Sequence, residues 1–309
     1  MSSFKVLRSL AIPLALAFMV ACGSTPTSAP TTTNSFPLTL TTSKGQVTLS
    51  HQPMRIVSLS ATATEDLFAV GAGKQVVAVD SYSTYPTEAP RTSLSGFKPN
   101  IEAIAGYQPD LVLAADNTDK LFEQLTKLQI PVLVEGPAAD LNGVYSQINQ
   151  IAQATGHSAQ ATSVVSGIQQ QVKTIVQSVH APAKPLKVYH ELDQTYYSAT
   201  SATFIGHMYK LLGLQNIADA TPGGNDYPKL SAEYIISSDP DLIVLADTVC
   251  CGQSMATVAA RPGWNAIRAV RAGAVVPVDD SIASQWGPRI VLFFQAIARA
   301  LKAQEGATG

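Results

Sequence analysis

The chain has 309 residues, 46% of them hydrophobic and 14% charged, with 20 Lys and Arg against 22 Asp and Glu. That is enough apolar sequence for a two-lobed protein of ordinary core size. The near-balanced charge, with no basic block and no basic–aromatic stripe, argues against nucleic acid as a partner.

The amino terminus reads as an export signal. Lys5 and Arg8 supply a positive segment, and Leu10 to Val20 form an apolar core too short to span a bilayer comfortably. The core runs into Met19-Val20-Ala21-Cys22, small residues directly before a cysteine as in the bacterial lipobox, so Cys22 is the expected lipidation site. An ordinary signal peptide cleaved near a chance cysteine is the alternative. Removing Lys5 and Arg8 leaves 18 basic against 22 acidic residues, a formal charge of −4 in place of −2. The Ser-, Thr- and Pro-rich stretch that follows reads as a mobile tether. The domain boundaries expected are 1–21 for the signal, 22–45 for the tether, 46–156 for a first lobe, 157–183 for a connecting helix and 184–309 for a second lobe.

Arg55-Ile56-Val57-Ser58-Leu59 reads as a buried strand. Thr62-Ala63-Thr64-Glu65 has capping-box spacing and starts a helix that stops near Gly71 and Gly73. Val76 to Val79 is the next strand, and Asp80 to Pro90 a loop rich in Tyr, Ser and Pro. Residues Asn100 to Asp116 then read NIEAIAGYQPDLVLAAD, and Ser231 to Asp247 read SAEYIISSDPDLIVLAD. Without a gap they share Glu102/Glu233, Ile104/Ile235, Pro109/Pro240, Asp110/Asp241, Leu111/Leu242, Ala115/Ala246 and Asp116/Asp247. The offset is far longer than a solenoid repeat and points to two similar lobes with a cleft between them. Each copy predicts a capped helix, a Pro-Asp stop and a buried strand. Leu121 to Leu128 has helical spacing and Val132 to Val134 is a further strand, which completes the alternation of a parallel sheet with helices on its faces.

Val144 to Ala154 and Ser158 to Val179 show helical apolar spacing, closed by Pro182 and Pro185. A helix this long between two α/β halves would act as a stiff strut. The second lobe repeats the plan: a strand at Lys187 to Leu192, a helix from Thr203 to Leu212, the second copy of the repeat, a strand near Ala274 to Val278, and a closing helix from Pro288 to Leu301.

Catalytic motifs are missing. Gly71-Ala72-Gly73-Lys74 follows a helix instead of opening one, His190-Glu191 lacks the second histidine of a zinc-protease signature, and the five histidines are scattered. Adjacent Cys250 and Cys251 cannot converge on a metal as spaced ligands do, and no metal site is expected. In an exported protein they could join as a vicinal disulfide or remain free thiols packed in a loop.

Aromatic side chains are the better lead to a ligand. Tyr82 and Tyr85 lie past one strand end, Tyr196 and Tyr197 past another, Phe97 and Tyr227 precede the two copies of the repeat, and Trp286 precedes the last helix. In open parallel sheets a ligand sits outside the carboxyl ends of the strands, and tyrosine suits a large amphipathic one. Glu102 and Glu233 each complement a helix dipole. As a pair on equivalent surfaces they would also suit docking to a dimeric partner.

Together these residues resemble a known family, the substrate-binding proteins of type II ABC importers for vitamin B12, iron-siderophores and haem. The segment RIVSLSATATEDLFAVGAGKQVVAVDSYSTYP is most similar to the cobalamin-binding branch, and GPRIVLFFQAIARAL is typical of the family's end. The resemblance covers the chain after the tether. It implies an α/β fold of two Rossmann-like lobes with central parallel sheets joined by a long rigid helix, the class III periplasmic-binding-protein fold. It implies a receptor and not an enzyme, without a cofactor, lipid-anchored on the outer face of the cell membrane. A permease dimer with its ATPase would be the partner, and the ligand a corrinoid such as vitamin B12. By the same resemblance Tyr82 contacts the corrinoid, Tyr227 and either Tyr196 or Tyr197 match further aromatic contacts, and Asp279 or Asp280 an acidic one. Glu102 and Glu233 match the glutamates that meet permease arginines. The chain departs from the pattern at Gly96-Phe97 and Ala115-Asp116, where cobalamin carriers place large aromatics, and at Cys250-Cys251. A ferric siderophore or haem is the alternative ligand and would call on Arg91, Arg261 or Arg289. A zinc or manganese carrier would need a convergent set of histidines. A secreted α/β enzyme or a surface sensor of this fold are the readings from other classes.

Overall fold

The computed structural model describes residue 1 and residues 35–42, 44–179, 184–221 and 223–307. The signal segment, Cys22 and Pro182 lie outside the described residues, and every element below falls in the unit spanning 32–309.

The fold starts earlier than the sequence reading placed it. Leu38–Thr42 (β1) and Gly45–Leu49 (β2) pair antiparallel, with Leu38 opposite Leu49 and Leu40 opposite Val47. Residues 38–42 therefore belong to a hairpin and not to a tether. Their Thr-rich composition hides a period-two pattern that buries Leu40, Val47 and Leu49.

The first lobe contains Ile56–Leu59 (β3), Ala61–Ala69 (α1), Val76–Val79 (β4), Ile101–Gly106 (α2), Leu111–Ala114 (β5), Leu121–Lys127 (α3) and Val132–Val134 (β6). All its strands are parallel, in the order β4-β3-β5-β6. Alternate residues face two hydrophobic layers: Ile56, Leu111 and Leu113 one, Val57, Leu59, Val112 and Ala114 the other. Helix α1 is capped by Ser60, whose side chain accepts from the Ala63 amide, and not by Thr62. Glu65, the presumed partner in the capping box, is buried and engaged elsewhere.

Leu141–Thr155 (α4) and Ser158–Gln177 (α5) follow. The 20-residue α5 is about 30 Å long. It packs between α4 and the last helix and buries Ala161, Ile168 and Val172, which makes one continuous core from the first lobe to the second.

The second lobe contains Lys187–Glu191 (β7), Phe204–Leu211 (α6), Gln215–Asn216 (β8), Ala232–Ser238 (α7), Leu242–Leu245 (β9), Met255–Ala259 (α8), Arg268–Arg271 (α9), Val275–Pro277 (β10), Asp280–Ser284 (α10) and Ile290–Ala307 (α11). Its sheet, in the order β8-β7-β9-β10, is again all parallel. By order of appearance both sheets run second, first, third, fourth. The two lobes share one topology.

The repeated sequence is the reason for much of this likeness. Asp110 accepts from the Met54 and Arg55 amides at 2.8 and 2.9 Å, and its own amide donates to Arg55 O. Asp241 accepts from the Lys187 amide at 2.8 Å and donates to Lys187 O. Each Asp thus ties the entry of the third strand to the entry of the first. Arg55 and Lys187 close the brace by donating to carbonyls at the ends of α2 and α7, Tyr107 and Gln108 in one lobe and Ser238 in the other. Asn100 and Ser231 cap the two helices in the same way.

Candidate functional site

In each sheet the chain reverses direction of winding between the first and third strands, so the crevices open above the carboxyl ends of β3/β5 and β7/β9. Helices α2 and α7 run back from those ends towards β5 and β9. Their amino termini, carrying exposed Glu102 and Glu233, therefore flank the crevice side of both lobes.

The first lobe presents Tyr82 and Phe97, whose rings meet edge to face at 5.1 Å while remaining 57% and 69% exposed. The loop beneath them is firm. Buried Asp80 accepts from the Ser83 amide and hydroxyl at 3.0 and 2.7 Å, and Ser83 meets Thr64 of α1. Burial raises the Asp80 pKa, and these hydrogen bonds work against the rise. Two large rings are thus held open to water on an anchored loop.

The second lobe presents Tyr197 and Tyr227, 40% and 48% exposed. Their loops are zipped together through Ser198 N to Pro228 O, Leu230 N to Tyr196 O, and Lys229 over the Tyr197 ring at 5.8 Å. Tyr196 is different. It adopts a left-handed backbone, φ 72°, and turns inward to stack on buried Trp264 at 5.6 Å. Trp286 is half-buried against Phe204 at 5.9 Å. Asp280 accepts from the amides of Val249 and Cys250 at 2.9 and 2.7 Å, with the Thr248 hydroxyl at 3.2 Å. Tyr196, Trp286 and Asp280, expected as ligand contacts, are half-buried and also pack or anchor the loops.

Between the lobes lies an ion pair that the sequence did not suggest. Arg289, just before α11, reaches Glu65 of α1 through Nε at 3.0 Å and through a second guanidinium nitrogen. The Glu65 side chain is 2% exposed and that of Arg289 17%. Tyr85 lies under the guanidinium at 4.1 Å while remaining 45% exposed, so this tyrosine joins the seam to the rim. Gly287 permits the approach, since a Cβ there would stand 3.3 Å from Glu65 Oε2. The surroundings are acidic. Burial raises the Glu65 pKa, partly offset by Arg289. Asp66 is fully buried and raised well above the usual range by burial and by the charges of Glu65 and Glu135. Burial alone pushes Glu135 up to about 7.

The second lobe holds a matching arrangement at the end of β7. Buried Glu191 receives both arms of Arg261, one at 2.6 Å, and the guanidinium lies 4.5 Å over Trp264 and 5.4 Å over Tyr196. Gln253 accepts from the same arginine at 2.7 Å. Asp247, the repeat's last residue, is buried with no hydrogen-bond partner on either oxygen, and burial and Glu191 push it to about 7 against the pull of Arg261. Its counterpart Asp116 is exposed. Cys250 and Cys251 are joined to each other in the loop that follows. Arg91, the third arginine considered, is exposed beside β4.

A groove of about 790 Å³ lies elsewhere, at the opposite ends of β9 and β10 between Arg268, Arg271 and Arg299, and holds none of the aromatic candidates. Among the described residues no cluster of three or more His, Cys, Asp or Glu could hold a metal, and no helix is long and apolar enough to cross a membrane.

Residues 56–282 match the family model described as periplasmic binding protein. The chain belongs to that family. Among its relatives in the periplasmic binding protein family is an uncharacterised ABC transporter substrate-binding lipoprotein, YvrC, of Bacillus subtilis, 29% identical over 94% of this chain and 95% of that one. Another is a cobalamin-binding protein of Halobacterium salinarum, 33% identical over 83% of this chain and 72% of the relative. Among solved structures, the periplasmic heme-binding protein HutB of Vibrio cholerae is 28% identical, with a TM-score of 0.71 over 81% of this chain and 99% of the other. The vitamin B12-binding protein BtuF of Vibrio cholerae shares the fold at a TM-score of 0.66 and 22% identity, covering 82% of this chain and 99% of BtuF. Periplasmic binding proteins are solute receptors, and the α/β architecture with one parallel sheet in each lobe is the one the sequence implied.

Of the residues that sequence reasoning singled out, Tyr82, Tyr85, Phe97, Tyr197, Tyr227, Glu102 and Glu233 are exposed. That reasoning missed the Glu65–Arg289 and Glu191–Arg261 pairs, whose partners are 224 and 70 residues apart. The available signal was an ionisable residue at the carboxyl end of a buried strand, as at Glu191.

Proposed function

We propose that this periplasmic binding protein is the lipid-anchored receptor of an ABC importer and that its ligand is a corrinoid such as vitamin B12. The observation that carries this reading is the contrast between its rims and its arginines. Five exposed aromatics, Tyr82, Tyr85, Phe97, Tyr197 and Tyr227, stand above the strand ends. Arg261 and Arg289 are neutralised by buried Glu191 and Glu65. A polyanionic iron complex needs free cations in the cleft, whereas a bulky amphipathic macrocycle needs broad faces with polar tips. The cobalamin-binding relative supports the same choice. A haem or a ferric siderophore is the second reading, favoured by the likeness to HutB and by the exposed Arg91.

Anchoring would come from Cys22, with the soluble lobes outside the cell membrane. Glu102 and Glu233 would dock on a permease dimer that works with an ATPase, one glutamate for each half, because a pseudo-symmetric surface suits a symmetric partner. With α5 as strut and Glu65–Arg289 as clasp, closure around the ligand should be small. The deciding experiment titrates the purified domain with cyanocobalamin, haemin and several ferric siderophores while following intrinsic fluorescence. Saturable quenching by cyanocobalamin is expected. Tight binding of a siderophore alongside no response to cyanocobalamin would reverse the choice of ligand.

A further inference from the structure

We infer that the tip Val249-Cys250-Cys251 is a ligand-contacting subsite, which takes the apolar edge of the macrocycle and is held in shape by the disulfide. This rests on the reading of the cleft as a corrinoid site and adds a contact for which the resemblance offers no counterpart.

The placement comes first. The loop from Asp247 to Gln253 leaves β9, the third strand of its lobe, beside the loop leaving β7, and Gln253 Nε2 lies 3.5 Å from Gln194 Oε1 between them. That is the switch point of the sheet, where ligands of such folds sit. The construction comes second. Nearly all the polar groups of the loop are turned into anchors. Asp280 takes the amides of Val249 and Cys250, the Thr248 hydroxyl lies 2.9 Å from Val278 O, the Gln253 amide donates to Asp247 O, and Gln253 Nε2 donates to Cys251 O at 3.3 Å. Gly252, at φ 64°, lets the chain turn back. What remains outward is apolar. Val249 is 71% exposed, Cys250 is exposed and Cys251 half-buried, with their sulfurs joined.

A single exposed valine on a mobile loop carries no meaning. Here it crowns a loop immobilised by one carboxylate and one covalent ring, beside the aromatic rim formed by Tyr197. Sulfur is polarisable and packs well on conjugated rings. At the same offset beyond the repeat the first lobe carries Thr118-Asp119-Lys120 instead, with Asp119 and Lys120 exposed. The two copies of the repeat thus offer unlike ends, one polar and one apolar, which would orient an amphipathic ligand in a cleft of otherwise similar halves.

The test uses the whole soluble protein in three forms: oxidised wild type, wild type reduced by a phosphine and freed of it, and Val249→Ser. Affinity for cyanocobalamin and haemin is measured by fluorescence, with thermal unfolding as a check on folding. Reduction is expected to weaken cyanocobalamin binding about fivefold by loosening a preorganised contact, and Val249→Ser about threefold. Independently of any variant, saturating cyanocobalamin should slow phosphine reduction of the disulfide at least about tenfold, because a bound macrocycle covers it. Saturable wild-type binding with unchanged affinity on reduction and unprotected sulfurs overturns the subsite and leaves the carrier reading standing. No saturable binding of either compound by oxidised wild type overturns both.

Discussion

Replacing Arg289 by Met should expose the chemistry of the seam between the lobes. Glu65 is 2% exposed, and Arg289 is the cation bonded to it. Without that cation Glu65 keeps the burial that raises its pKa and loses the hydrogen bond and charge that hold the rise down. The sign follows from linkage: a carboxyl whose folded pKa is raised binds its proton more tightly in the native state, so its stabilising contribution is present below 4.5 and is lost as pH rises through the folded pKa. Relative to wild type, Arg289→Met should therefore lose a pH-independent ~1 kcal/mol for contacts with Ser281 and the Tyr85 ring, and a further loss that grows with pH towards about 2–3 kcal/mol at pH 8, somewhat below the cost of a fully uncompensated buried charge. Glu65→Gln should be far milder at every pH. It removes the charge that burial disfavours and leaves Arg289 at the solvent-accessible side with Ser281, Gln285 and Tyr85 as partners. Urea titrations at pH 5, 6, 7 and 8 measure both, and a further 2–3 kcal/mol is a midpoint change of about 0.7–1 M for a slope near 3 kcal/mol/M. A difference between Arg289→Met and wild type that stays flat or shrinks with rising pH would show that Glu65 is solvated in solution and the clasp open.

Other outcomes follow from the same geometry. Asp247, raised from 3.8 to about 7 with neither oxygen bonded, should make the wild type less stable as pH rises through that window; Asp247→Asn should remove the decline and exceed wild type by about 1–3 kcal/mol at pH 8, and parallel pH profiles would refute it. Tyr82→Ala and Phe97→Ala, both at exposed rings, should change stability by less than about 1 kcal/mol and weaken cyanocobalamin at least about tenfold in a fluorescence titration; unaltered affinity would remove them from the cleft. Glu102→Arg with Glu233→Arg should abolish ligand uptake by cells while leaving the affinity of the purified domain unchanged, and intact uptake would dismiss the docking role. Asp110→Ala and Asp241→Ala should each destabilise by about 1 kcal/mol, since each removes the acceptor of the amides at a strand entry, and a loss in one lobe only would show that the braces are not equivalent.

Local pattern made most of this fold legible and long-range pairing hid the rest. Strands β5 and β9 are unbroken apolar runs and β3 is interrupted only by Ser58, and a parallel strand covered on both faces reads in that way. The spine showed its 3.6-residue period, and the repeat announced a second copy of whatever the first lobe was. The β1–β2 hairpin was overlooked because its outward residues are threonines, whose composition resembles a linker even as Leu40, Val47 and Leu49 alternate inward. Glu65 fitted a capping box by spacing, but helix α1 begins two residues before Thr62 at Ser60, and the carboxylate turned out to answer a charge at the far end of the chain. No window of sequence contains both members of such a pair.

The repeat itself separates scaffold from site. Its Pro-Asp turn performs the same task in both lobes, tying the third strand and the helix before it to the first strand through Arg55 or Lys187. These bonds lie at the amino ends of the strands, away from the crevice, and two lobes can share them whatever they bind. Its last residue lies at the carboxyl end, and there the copies part: Asp116 faces water, whereas Asp247 is buried beneath a loop tied down by Asp280. A duplicated fold that bound a symmetric ligand would have no need of that difference. Unlike strand ends on like scaffolds are what a cleft requires if it must hold one chemically two-faced molecule in a single orientation while offering identical glutamates, Glu102 and Glu233, to a symmetric partner outside.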